Sequence, residues 1–84
     1  MRLLTKGILL KVENIYEKEV IDGKKQDVYQ GFKPEGVVVL SSVEGLKKGE
    51  IVQVNPYGGS EIQSLSTKKN RFLVIEERDL LIAL

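Results

Sequence analysis

Apolar residues in this chain come in short bursts separated by polar turns, a pattern that predicts strands and almost no helix. The bursts are Leu3–Lys11 (LLTKGILLK), Gly36–Leu40 (GVVVL), Arg71–Ile75 (RFLVI) and Leu80–Leu84 (LLIAL). Glu50–Asn55 (EIVQVN) alternates apolar and polar residues as a half-buried strand does, and Ser60–Leu65 (SEIQSL) does so more weakly through Ile62. Turns are expected at Lys33-Pro34-Glu35-Gly36, across the polar link Ser41–Gly49, at Pro56-Tyr57-Gly58-Gly59 and at Ser66–Asn70. Glu76–Asp79 interrupts the last apolar stretch and has room for one helical turn. No internal repeat is visible, and residues 1–84 read as one small all-β domain, a barrel or sandwich.

Between two of the most apolar bursts lies a long charged segment, Val12–Glu35 (VENIYEKEVIDGKKQDVYQGFKPE). Asp22-Gly23 within it is a favoured two-residue hairpin turn, because both residues tolerate the positive φ of a type I′ turn. That turn sets Ile21 opposite Lys24, Lys18 opposite Asp27 and Tyr16 opposite Tyr29. The charge pair and the aromatic pair each add about 0.2–1 kcal/mol across the ladder. The other reading of the segment is a mobile charged loop, which Glu17, Lys18, Glu19, Lys24 and Lys25 favour.

Size and composition narrow the function. Eighty-four residues lie at the small end of what one hydrophobic core supports. The chain has no cysteine and no histidine, so neither a disulfide staple nor a Cys/His metal site is expected. Association between copies is a common source of added stability in such chains. Thirteen basic against 12 acidic side chains give a net charge of +1, which argues against a nucleic-acid surface. The longest apolar run, Leu80–Leu84, is far below the roughly 20 residues that span a bilayer. Met1-Arg2-Leu3-Leu4 is too soon interrupted by Lys6 to read as a signal peptide. A soluble, cytoplasmic protein is expected.

Catalytic chemistry finds no support in the residue pattern. The five serines Ser41, Ser42, Ser60, Ser64 and Ser66 lack any histidine partner. Glu76-Glu77 beside Arg78 reads as an ionic cluster, and Gly58-Gly59 lacks the spacing of a phosphate loop. Lys24-Lys25 and Lys68-Lys69 read as solvated turn tips. Tyr16, Tyr29 and Phe32 are open to two readings, as stabilisers of the hairpin or as part of a protein contact, where aromatics are favoured. No enzyme and no cofactor is expected. The apolar ends, Leu3, Leu4, Leu80, Leu81, Ile82 and Leu84, stand where chains usually fray into polar tails. Exposed apolar edges invite association, so these ends are expected to pair, either with each other or across subunits.

Four stretches in order resemble the GroES-type co-chaperonins. Arg2–Lys11 is similar to the family's opening Arg-Pro-Leu-x-Asp-Arg-Val-x-Val-Lys. Leu46–Val52 resembles its Val-Lys-x-Gly-Asp-x-Val, and Tyr57–Ile62 its Tyr-Gly-Gly-Thr-Glu-Val. Phe72–Ala83 resembles its closing Tyr-Leu-Ile-Val-Arg-Glu-Asp-Asp-Ile-Leu-Ala.

The resemblance implies a small, partly open β-barrel and a seven-membered ring in which the first strand of one subunit pairs with the last strand of its neighbour. Leu3, Leu4, Leu80, Leu81, Ile82 and Leu84 then become subunit-interface residues. Only Ser41–Gly45 stands where the family has a roof hairpin, as in some bacteriophage-encoded versions. Val12–Glu35 corresponds to the mobile loop that docks an apolar tripeptide on a chaperonin. Here Gly23-Lys24-Lys25 occupies the tripeptide's place, and the nearest apolar pairs are Val20-Ile21 and Val28-Tyr29. The expected partner-binding residues are therefore Val20, Ile21, Val28, Tyr29 and Phe32. Two functions are expected: a co-chaperonin-like lid on a chaperonin chamber, or a structural protein, such as a virion component, that grips a neighbour with the 12–35 arm.

Overall fold

In the computed structural model, which describes residues 1–84, every other element is arranged around one long strand, β1 (Gly7–Ile21). It pairs on one side with β2 (Lys24–Ser41) and on the other with β5 (Asn70–Glu76), both antiparallel. β3 (Ile51–Val54) adds to β2, and β6 (Leu80–Ala83) adds to β3. The two-residue β4 (Ser60–Glu61) flanks β5, so the sheet order is β4-β5-β1-β2-β3-β6. A single 3₁₀ turn over Glu77–Asp79 separates β5 from β6, where one helical turn was expected.

Alternation along β1 builds the core. Ile8, Leu10 and Val12 point to one face and meet Val38, Val52, Val54, Leu73 and Ile75. Each of these eight side chains is almost fully buried, worth about 1.5–3 kcal/mol apiece. One face of a flat sheet cannot bury its own residues this completely, so the sheet curls over itself. At Gly36 the curl brings backbone against backbone: a Cβ there would overlap the Lys11 carbonyl and the Val12 and Leu10 side chains. On the opposite face, Leu9 is buried in a shallow apolar groove of about 220 Å³ whose lining includes Met1, Leu3, Leu40 and Val74.

The protein is all-β as expected, one antiparallel sheet that is not closed into a barrel, because its edge strands β4 and β6 do not pair. Three expectations change here. β4 stops at Glu61 because Ile62–Leu65 coils into turns, with the Leu65 and Ser66 N–H groups donating to the Ile62 carbonyl. Ser60–Leu65 is therefore a strand for two residues only. The chain ends do not pair with each other: residues 1–6 lie outside the strands, and β6 pairs with β3 of its own chain. Lys33–Gly36 is not a turn but part of β2, where the pairing jumps from Val12–Gly36 to Asn14–Phe32. The surplus residues form a bulge, which accommodates Pro34 and its missing N–H. No helix is long and apolar enough to cross a membrane.

Candidate partner-binding arm

Beyond Asn14 and Phe32, β1 and β2 leave the sheet together as an arm, which stretches the molecule to 51 × 25 × 20 Å. Six consecutive pairs run from Tyr16–Tyr29 through Lys18–Asp27 to Ile21–Lys24, in the register that an Asp22-Gly23 loop dictates. Asp22 (φ 51°) and Gly23 (φ 77°) both adopt the left-handed conformation of a type I′ turn. At about 3.3 Å per residue, these pairs carry the tip about 20 Å from the arm's base.

Strict one-to-one pairing divides the arm into two faces. Tyr16, Lys18 and Val20 lie on one face with Tyr29, Asp27 and Lys25; Glu17, Glu19 and Ile21 lie on the other with Val28, Gln26 and Lys24. The expected binding residues are thereby separated. Val20 and Tyr29 share the first face, with Phe32 below them at the base, whereas Ile21 and Val28 share the second. Val20 is 68% exposed and Ile21 41%. They are adjacent in sequence, so one flat partner surface cannot cover both.

The arm's first face is clasped at its base by the 66–70 turn. The Asn14 backbone N–H donates to the Lys69 carbonyl (2.9 Å), and its side-chain amide donates to the carbonyls of Thr67 (3.3 Å) and Lys68 (3.1 Å). The Lys68 ammonium donates to Asp27 (3.0 Å) and lies 5.5 Å from the centre of the Tyr16 ring. Tyr16 and Tyr29 meet edge to face with centroids 5.7 Å apart. The Arg71 guanidinium packs on Tyr29 (4.8 Å) and Phe32 (5.7 Å), and its Nε lies 3.5 Å from Glu61 without forming a hydrogen bond. Lys68 and Arg71 thus work as a clasp, although the sequence pattern marked Lys68 only as a solvated tip. No local signal identifies them, because the contacts depend on which strand runs beside β1.

Electrostatics follow from the clasp. The Asp27 carboxyl is held below its usual range, first by the Lys68 hydrogen bond, then by the Lys68 charge, with a smaller contribution from Lys18. Elsewhere Glu76 and Glu77 pair separately, with Arg78 (2.9 Å) and Lys6 (3.0 Å), as an ionic cluster would. No group of three or more acidic, cysteine or histidine side chains converges in a way that could hold a metal.

The other expected set belongs to the sheet body, with β6 lying across β3 from Glu35–Gly36. Leu4, Leu81, Ile82 and Leu84 are exposed, Leu3 and Leu80 half-buried. β6 is an edge strand with one side unpaired within the chain. No protein-family model matches the chain, and no curated protein matches it.

Proposed function

We propose that the protein is a non-enzymatic, co-chaperonin-like ring subunit of the cytoplasm that caps a chaperonin chamber through its arms. The observation that carries this reading is the apolar tip: Val20, 68% exposed, is held on a paired arm well away from the core. The four motif-like stretches supply the resemblance, and the free edge of β6 with exposed Leu81, Ile82 and Leu84 supplies a surface for ring closure. In a ring, sevenfold display multiplies a weak contact by avidity. The test is nucleotide-dependent co-sedimentation with a bacterial chaperonin ring. Binding supports the lid, and its absence in every nucleotide state removes it.

A second reading has its own observation. The arm is paired to its tip, and Lys24-Lys25 stands where the resembling family has apolar residues. Such an arm suits a structural protein, for example of a virion, that grips a neighbour. Chaperonin binding separates the two, since an arm that grips a different neighbour joins no chaperonin ring in any nucleotide state.

A further inference from the structure

The two faces of the arm differ in charge as well as in apolar content. On the Val20 face, the neighbours are Lys18, two positions back in the strand, and Lys25, directly across the ladder. Neither makes an ion pair in the molecule. The acid that faces Lys18 is Asp27, and its carboxylate is taken by Lys68 at 3.0 Å. The clasp therefore neutralises the one negative group on this face, and an exposed valine stands beside two ammonium groups that form no ion pair. The opposite face sets Ile21 between Glu19 and Lys24, with Glu17 beyond, so it carries one net negative charge.

We infer that the arm docks by its Val20 face alone, into an apolar pocket whose rim carries carboxylates facing Lys18 and Lys25. This deepens the proposed docking function and rests on it. Ammonium groups that form no ion pair within the molecule gain from a partner that supplies the opposite sign, and they also speed encounter. The Ile21 face stays toward solvent in the complex. Lys68 is a positioning residue here: by holding Asp27 it keeps that carboxylate from competing for Lys18.

The experiment measures binding of the intact protein to a bacterial chaperonin ring with nucleotide, across salt concentrations. Val20→Ser is expected to weaken binding about tenfold, the loss of one buried aliphatic anchor. Lys18→Glu with Lys25→Glu is expected to weaken it most at low salt and to invert the salt dependence, because screening then relieves repulsion from the rim. Ile21→Ser and Glu19→Lys, on the other face, are expected to change it less than about twofold. Circular dichroism of each variant checks that the sheet is retained. If the wild type binds but Ile21→Ser is the damaging change and the lysine reversals are silent, the Val20-face assignment is overturned and the lid reading survives. If the wild type does not bind, the lid reading falls and takes this assignment with it.

Discussion

Lys68 and Asp27 lie 41 positions apart in the chain and 3.0 Å apart in space, and this contact ties the arm to the turn before β5. The ammonium also covers the Tyr16 ring, so one side chain touches both strands of the arm. Lys68→Ala is expected to leave the core intact, since the pair is exposed and such pairs contribute little to global stability. Amide exchange in Tyr16–Ile21 should accelerate while exchange at Ile8, Leu10 and Ile75 stays slow. Equal acceleration in arm and core contradicts the clasp.

The clasp should also respond to acid. The Asp27 carboxyl titrates below its unfolded-chain value, so the contribution of the contact is complete above the ordinary carboxylate range. It is lost as pH falls through the lowered value, when Asp27 gains its proton. A carboxyl-carbon NMR titration reads this directly. Lys68→Ala should move the Asp27 midpoint up toward the ordinary range.

Arg71 contributes by stacking rather than by hydrogen bonding. Arg71→Ala removes contacts to Tyr29 and Phe32 and is expected to cost about 1–2 kcal/mol. For a domain of this size each kcal/mol lowers Tm by about 4–8 °C. Arg71→Lys should recover only part of the loss, because an ammonium cannot stack as a planar guanidinium does. Thermal melts of both variants check the order.

Two glycines should fail differently. Gly36→Ala forces a methyl group against the Lys11 carbonyl in the middle of the sheet and is expected to cost about 1–3 kcal/mol globally. At Gly23 an added Cβ meets no neighbouring atom, so Gly23→Ala is expected to cost the strain of φ 77° alone, about 1–2 kcal/mol, confined to the tip. Urea melts should register the first, and faster exchange in Lys18–Asp27 the second.

The arm was legible in the sequence because a two-residue loop fixes register locally: Asp22-Gly23 determines the facing of Lys18 to Asp27 and Tyr16 to Tyr29. Features that depend on distant segments were not. Pro34 and Gly36 have the composition of a turn, yet a bulge accommodates them because β3 pairs with Glu35–Val37 and holds β2 extended. Barrel closure depends on how far β4 runs, and Ser60–Leu65 alternates well enough to hide the coil after Glu61. Lys68 finds Asp27 only because β5 runs beside β1. Val20 and Ile21 look like one anchor in a linear reading, and the paired strand turns them to opposite faces.

Native mass measurement of the protein, alone and with a chaperonin ring and nucleotide, shows whether the arms act together on a partner. A sevenfold assembly that adds to the chaperonin as one unit is the predicted result. A monomer that never joins the larger particle would contradict it.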